Sequence, residues 1–248
     1  MLPITEIPTN KITLPVLKKK VTVRAMTSQE EKILLIAKEA GTTSEVIDSI
    51  KNLITACIYS DPKKIIIEEL CTTDIVALFI AIIDISKGSE INHIYRCINK
   101  INGKECSEKI VVNVDLKKVK YTTNNVSDII KVADNVYVKL SYPDTIEYEK
   151  AQKESNDDKF DYELRLCAYS IDSVIENDNS IEFSDEEIYE WTKKLPISVV
   201  SKIKEFISNM PKAILEYDVI CPKCKNKSHI KLTTLEDFFT NDIPEVHL

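Results

Sequence analysis

The chain has 248 residues, which is long enough for one large domain or two small ones around a hydrophobic core. Its formal net charge of −7 argues against an extended nucleic-acid surface, because phosphate binding depends on clustered lysine and arginine. The whole sequence has only three glycines, which argues against a phosphate-binding loop, where glycine lets the backbone approach the ligand closely.

The first elements that the sequence predicts are a hairpin and a helix. Apolar residues alternate through residues 12–26 on either side of Lys18-Lys19-Lys20, as in two short strands joined by a polar turn. Thr27 and Glu30 then match a capping box, in which two side chains satisfy the first free amides of a helix. We expect this helix to end at Gly41.

Two further helices are predicted before the first cysteine pair. One begins near Thr43, carries isoleucine and valine at helical spacing, and ends at Asp61-Pro62. The next begins at Thr73-Asp74 and ends at Gly88. Its apolar residues point nearly all round the helix, which predicts that it lies at the centre of the core.

Strand-like sequence flanks two pairs of cysteines that lie far apart in the chain. It surrounds Cys97 and Cys106, and again Cys221 and Cys224. The sequence between and after the pairs predicts a strand at 136–140, a mobile polar loop at 154–158, a helix at about 160–171, a turn at 177–180, helices at about 185–194 and 197–209, and a short helix at 235–239.

The cysteine pairs predict a metal site. Cys221-Pro-Lys-Cys224 has the spacing that places two thiolates on one ion, and a structural Zn²⁺ takes four such ligands. Cys97 and Cys106 supply the other two, although eight residues separate them. We therefore predict a discontinuous zinc ribbon with four thiolate ligands. Such a site is closed to water and supports structure rather than catalysis.

Other interpretations of the cysteines remain open at this stage. The four residues could be buried or surface thiols, or the remnant of a metal site that this chain has lost. His93 and His229 are substitute ligands if one cysteine points away. The remaining cysteines lie on apolar helix faces, and we interpret them as core residues: Cys57, Cys71 and Cys167.

The sequence favours a non-enzymatic, soluble, cytoplasmic protein. It has no glycine-rich phosphate loop, no HExxH pair and no GxSxG turn. The longest apolar stretch, residues 75–83, is shorter than the roughly 20 residues that cross a bilayer. Seven cysteines without a secretory signal pattern indicate a reducing compartment.

Several segments resemble a known family in their order and spacing. They are residues 23–35, 74–97, Tyr142-Pro143, 187–196, 204–211, 221–224 and 235–239. Together these segments resemble the T4-type bacteriophage baseplate hub assembly protein family, and the C-terminal block is the most specific part of the resemblance. The wide spacing of Cys97 and Cys106 departs from the tight cysteine pair that is common in this family.

This resemblance implies a viral protein of a contractile-tailed phage. Its role would be that of a hub assembly factor or chaperone, or of a hub subunit, with baseplate hub proteins as partners and without enzymatic activity. Its location would be the host cytoplasm and, if it is retained, the tail baseplate. The alternatives from other classes are a zinc-ribbon nucleic-acid-binding regulator and a metalloenzyme with an open zinc position.

The predicted fold class is α+β, with a helical body, β-hairpins and the zinc-ribbon-like element. We predict one composite unit in four segments: residues 1–88 with the first hairpin and helices, 89–120 with the first half of the ribbon, 121–211 as a mostly helical insertion, and 212–248 with the second half of the ribbon and a terminal helix.

Overall fold

The computed structural model describes residues 6–40, 43–59 and 65–239. It shows a mixed α+β protein, which confirms the predicted class. The chain divides into two compact units. Unit 1 combines residues 1–67, 72–122 and 212–248, and unit 2 combines residues 68–71 and 123–211. Within the described residues, no helix is long and apolar enough to span a membrane.

Unit 1 begins with the predicted hairpin and three helices. The strands β1 (Thr9–Thr13) and β2 (Lys20–Arg24) pair antiparallel. The helices are α1 (Ser28–Ala40), α2 (Thr43–Cys57) and α3 (Thr72–Lys87). The Thr27–Glu30 capping box is confirmed, with the Thr27 amide 2.7 Å from the Glu30 carboxylate. The predicted helix stop at Gly41 lies outside the described residues. Helix α2 ends at Cys57, before the predicted stop at Asp61-Pro62, and Ile58 instead forms a β-bridge with Val23.

Helix α3 is the central core helix that its all-round apolar sequence predicted. Every residue from Thr73 to Ile82 is buried. The helix ends before Gly88, whose φ of +91° is the left-handed conformation that glycine adopts most easily after a helix. The chain then continues into the cysteine-bearing strands.

Strands dominate the rest of this part of unit 1. The long strands β3 (Glu90–Arg96) and β6 (Lys109–Asp115) pair antiparallel along their whole length. Between them lies a small hairpin of two short strands, β4 (Lys100–Ile101) and β5 (Lys104–Glu105). Strand β7 (Lys120–Tyr121) ends this segment.

Unit 2 packs helices against one antiparallel sheet of four strands. In chain order its elements are β8 (Ile129–Ala133), β9 (Val136–Leu140), α4 (Thr145–Glu154), α5 (Lys159–Tyr169), β10 (Ile171–Glu176), β11 (Asn179–Ile181), α6 (Asp185–Thr192) and α7 (Ile197–Ser208). The strands have the order β11-β10-β9-β8 in the sheet. The core contains apolar residues of the sheet and of the helices, such as Val138, Cys167 and Ile203.

The structure corrects the sequence interpretation inside unit 2. The helix predicted to reach Ile171 ends at Tyr169, because the Ser170 carbonyl accepts the Ser141 amide and Ile171 already pairs with Leu140 as the first residue of β10. Strands β8, β10 and β11 and the whole of α4 were missed. The turn predicted at 177–180 is confirmed only for Asn177 and Asp178, both with positive φ, because Asn179 and Ser180 already belong to β11 and pair with β10.

The chain returns to unit 1 through β12 (Ala213–Ile220) and β13 (Lys227–Leu232), followed by the short helix α8 (Leu235–Phe239). These strands form a sheet with the order β13-β12-β7. The Thr122 amide donates to the Lys212 carbonyl over 3.0 Å, directly beside the pairing of β7 with β12. The segment that builds most of unit 2 therefore starts and ends at adjacent points of one sheet.

Candidate metal centre of four cysteines

Four cysteine side chains from two distant parts of the chain meet in unit 1. Cys97 follows β3, Cys106 follows β5, and Cys221 and Cys224 lie in the turn between β12 and β13. All four sulfur atoms lie within 4.8 Å of one another. The Sγ atoms of Cys97 and Cys224 are 3.5 Å apart, and those of Cys106 and Cys221 are 3.8 Å apart. The structure thus brings together the four residues that the sequence singled out.

The second pair lies in a tight turn held by backbone hydrogen bonds. The Cys221 amide donates to the Asn226 carbonyl over 2.9 Å, and the Lys225 amide donates to the Cys221 carbonyl over 2.9 Å. Lys225 has a φ of +62°, which reverses the chain directly after Cys224. This geometry points both thiols of the pair toward one place.

The first pair repeats this arrangement bond for bond. The Cys97 amide donates to the Glu108 carbonyl, and the Ser107 amide donates to the Cys97 carbonyl, each over 2.9 Å. Ser107 has a φ of +50° and follows its cysteine as Lys225 follows Cys224. The two halves are therefore equivalent turns, although their sequences give no sign of it.

The extra residues of the first pair form a separate hairpin. The Cys106 amide donates to the Asn99 carbonyl over 2.7 Å, so the chain leaves and rejoins the turn at neighbouring points. The six residues 100–105 between them are β4, β5 and the turn at Asn102 and Gly103. Without them the sequence would read Cys-Ile-Asn-Cys, the same spacing as Cys221-Pro-Lys-Cys224. The wide spacing is thus a hairpin inserted into a two-residue turn.

The surroundings of the thiols are unequal. Cys97, Cys106 and Cys221 are buried, whereas Cys224 is partly exposed. Burial raises the pKa of the Cys97 thiol and that of the Cys106 thiol. The backbone amide of Asn226 and the side-chain amide of Asn99 lower the pKa of Cys224 to about 6. Hydrogen bonds that favour a thiolate prepare this cysteine to act as an anionic ligand.

The reserve ligands do not join the cluster. His93 is buried on β3 opposite Val112, and His229 lies beside the Asp218 carboxylate with its Nδ1 at 3.0 Å. Neither belongs to the group of four that the described residues place together. The core interpretation of the other cysteines is confirmed, because they are all buried: Cys57, Cys71 and Cys167.

Asn99 is a functional residue that no sequence pattern singled out. Its side-chain amide nitrogen lies 3.5 Å from the Cys224 sulfur, and its carbonyl closes the inserted hairpin. One residue therefore holds both the first turn and a thiol of the second turn. Nothing in the spacing of an asparagine two residues after a cysteine could indicate a contact across more than a hundred residues.

The cluster has the chemistry and dimensions of a tetrahedral metal site. Four thiolates bound at about 2.3 Å to one Zn²⁺ would lie about 3.8 Å from each other. The separations of the Cys97–Cys224 and Cys106–Cys221 sulfur pairs, 3.5 and 3.8 Å, are close to that value. Four protein ligands would fill the coordination sphere and leave no position for a water molecule or a substrate.

Comparison with known families gives the identity of the chain at the family level. A family model described as T4 bacteriophage base plate protein matches residues 7–240, nearly the whole chain. The chain belongs to this family. The resemblance read from the short segments of the sequence is thereby confirmed. The chain matches no curated protein and no solved structure.

Membership makes this chain a phage protein associated with the tail baseplate, and its partners are other baseplate proteins. A structural baseplate family also agrees with the expectation of a non-enzymatic protein. The match gives no support to the alternative of a nucleic-acid-binding regulator.

Proposed function

We propose that this protein acts in assembly of the central hub of a contractile-tail baseplate. It does so by protein–protein contact, either as a subunit of the hub or as a chaperone that positions a hub subunit before the wedges join. The observation that carries the proposal is the family match, which spans residues 7–240 and so includes residues of both units.

The four cysteines support a scaffold rather than a reaction centre. We propose that Cys97, Cys106, Cys221 and Cys224 bind one structural Zn²⁺ and that the two equivalent turns form a discontinuous zinc ribbon. The sulfur separations, the thiolate-favouring contacts of Cys224 and the four-thiolate donor set support this assignment. The ion would join segments that lie 115 to 127 residues apart.

The zinc would stabilise unit 1 by linking the segment that contains Cys97 and Cys106 to the segment that contains Cys221 and Cys224. Its binding free energy adds to the folding free energy, because an unfolded chain presents no preformed site. The buried Tyr95 hydroxyl, 3.0 Å from the Ser228 hydroxyl, joins β3 to β13 next to the cluster. The metal and this hydrogen bond hold the same two hairpins together, which suits a rigid surface for contact with other baseplate proteins.

The experiment that tests the proposed function uses a phage in which a nonsense codon interrupts this gene. The host supplies the full-length tagged chain from a plasmid, and a host without the plasmid is the control. We expect hub proteins to co-purify with the tagged chain from infected cells. Without the chain, sedimentation of the lysate should show baseplate wedges but no complete hub.

Mass spectrometry of finished virions then separates the two forms of the proposal. Stoichiometric copies in the virion identify a hub subunit, and hub proteins in the pull-down without copies in the virion identify a chaperone. Normal hubs in the absence of the chain would overturn the proposal. Co-purification of nucleic acid without any baseplate protein would overturn it as well.

A further inference from the structure

A groove of about 540 Å³ lies beside the four cysteines in unit 1. We call it the knuckle groove. Tyr95, Ile98 and Lys100 line one side, and the consecutive residues 226–230 line the other. Its two sides are joined by the 3.0 Å hydrogen bond between Tyr95 and Ser228. The groove therefore runs between the segment that follows β3 and the strand β13, which carry the two turns with the cysteine pairs.

The knuckle groove follows the outer edge of strand β13. Side chains of a strand alternate between its two faces, so a groove lined by five consecutive residues follows the strand's edge rather than one face. Strand β13 pairs with β12 on one side, and no other strand of the described residues pairs with its second side. An unpaired edge is a template on which another extended chain can form backbone hydrogen bonds.

The surroundings of the groove are basic in an acidic protein. Residues 96–109 and 218–231, which contain both turns, carry eight lysines and arginines against three carboxylates, while the whole chain has a net charge of −7. In the part of the chain that the structure describes, no aspartate or glutamate lines the groove itself. Asp218 lies nearby and pairs with Lys227 over 2.7 Å. Four thiolates on one Zn²⁺ carry two negative charges, which still leaves these segments basic.

We propose that the knuckle groove binds an extended acidic segment of a partner protein, which adds a strand to the free edge of β13. Backbone pairing would provide the affinity, and Lys100 would select carboxylates. The inference takes from the proposed function only that the partner is a protein. A peptide fits better than single-stranded nucleic acid, which uses exposed aromatic side chains for base stacking, whereas Tyr95 is 3% exposed.

The test is an NMR titration of the zinc-loaded full chain with a defined peptide. The probe is an acetylated and amidated octapeptide of alternating glutamate and valine. We expect it to shift the backbone amides of residues 226–230 and to lose affinity as salt rises. Three probes serve as comparisons: the same peptide with lysine in place of glutamate, the glutamate peptide with every backbone amide N-methylated, and an oligothymidylate.

Matched charge reversals locate the site. Lys100→Glu should weaken the glutamate peptide about fivefold or more, because it replaces an attraction with a repulsion at the groove. Lys118→Glu makes the same change at an exposed position of the same unit that does not line the groove, and it should leave the affinity unchanged.

Three results would overturn the inference. The glutamate peptide could leave residues 226–230 unshifted, the N-methylated peptide could bind as well as the parent, or the oligothymidylate could shift the same amides more strongly than the peptide. Failure here is distinct from failure of the proposed function. If hub proteins still co-purify with the wild-type chain while the peptide does not bind, the hub role stands and only the docking site is wrong.

Discussion

The carboxylate of Asp74 accepts the backbone amide of Leu17 over 2.8 Å across 57 residues of sequence. Its other oxygen accepts the amide of Val16 over the same distance. Asp74 is 1% exposed and lies in the first turn of α3. One buried carboxylate thus fixes the turn of the first hairpin against the central helix.

This contact predicts a large effect of a nearly isosteric change. In Asp74→Asn one acceptor oxygen becomes an NH₂ group that faces a backbone N–H. Two hydrogen-bond donors then point at each other in a buried place, and neither has an acceptor. We expect the free energy of unfolding to fall by about 2–3 kcal/mol in chemical denaturation. Asp84→Asn on the same helix is the control, since Asp84 is partly exposed, and it should change little. Equal effects of the two changes would contradict this role of Asp74.

The zinc assignment predicts the metal content of cysteine variants. Cys221→Ser should lose the single zinc and destabilise unit 1, as measured by mass spectrometry under native conditions and by thermal unfolding. Cys167→Ser places a hydroxyl in the core of unit 2 and should lower stability while it retains one zinc per chain. An unchanged zinc content in Cys221→Ser would show that this residue is not a ligand.

The equivalence of the two turns predicts that the inserted hairpin is dispensable for metal binding. Deletion of residues 100–105 joins Asn99 to Cys106, which already lie one hydrogen bond apart. The shortened protein should keep one zinc per chain and nearly full stability, because closing a shorter loop costs slightly less entropy. Cobalt substitution should give the absorption of a four-thiolate site in both proteins. A spectrum with fewer thiolates in the shortened protein would mean that the hairpin positions Cys106.

Two capping glutamates predict opposite responses to pH. The hydrogen bond from Arg24 to Glu30 lowers the pKa of the Glu30 carboxylate to about 2. The charged carboxylate therefore stabilises the folded state above pH 4.5, and this stabilisation is lost as the pH falls from 4.5 toward 2. Burial raises the pKa of Glu147 to about 7, so its charged form opposes folding and stability is lost as the pH rises from 4.5 to about 7.

The matched variants Glu30→Gln and Glu147→Gln isolate these effects in thermal unfolding at several pH values. Relative to wild type, Glu30→Gln should be less stable at neutral pH, and this difference should shrink as the medium becomes acidic. The stability of Glu147→Gln relative to wild type should increase between pH 4.5 and 7, because only the wild type loses stability there. Parallel pH profiles for wild type and either variant would refute the corresponding assignment.

Two tyrosines on the strands of unit 1 predict opposite effects of losing a hydroxyl. The buried Tyr217 hydroxyl has no hydrogen-bond partner among the described residues, so Tyr217→Phe should raise the free energy of unfolding by about 1 kcal/mol. Tyr95→Phe removes the hydrogen bond to Ser228 and should lower it by about 1 kcal/mol. Chemical denaturation of both variants checks the pair, and a destabilised Tyr217→Phe would indicate a partner for that hydroxyl.

Several helix starts and helix ends were predicted from the sequence, because each depends on residues only a few positions apart. The capping residues Thr27 and Glu30 marked a helix start, and Gly88 marked a helix end. Helix α4 was missed although Asp144 and Glu147 form a capping box of the same kind, because the helix that follows is polar and carries almost no apolar periodicity. Strands β8 and β11 are short and largely exposed, and such strands leave only a weak alternation in the sequence.

The candidate site was predictable in its residues but not in its form. Cysteine spacing indicated which four thiols to combine. The sequence did not predict that Asn99 and Cys106 are neighbours in space. In the sequence, the inserted hairpin appears only as a wide spacing between Cys97 and Cys106. The basic groove depends on residues from two distant segments, and only the folded chain brings Lys100 and Lys227 to the same groove.

The split of unit 1 fixes the order in which a growing chain can fold. Thr122 and Lys212 are neighbours in one sheet, so nearly all of unit 2 is synthesised before the second half of unit 1 leaves the ribosome. Unit 2 can therefore fold first, while Cys97 and Cys106 emerge long before the two thiols that complete the cluster. Until Cys221 and Cys224 appear, the nascent protein has only half of the cysteine cluster, and unit 1 can complete its fold only after that point.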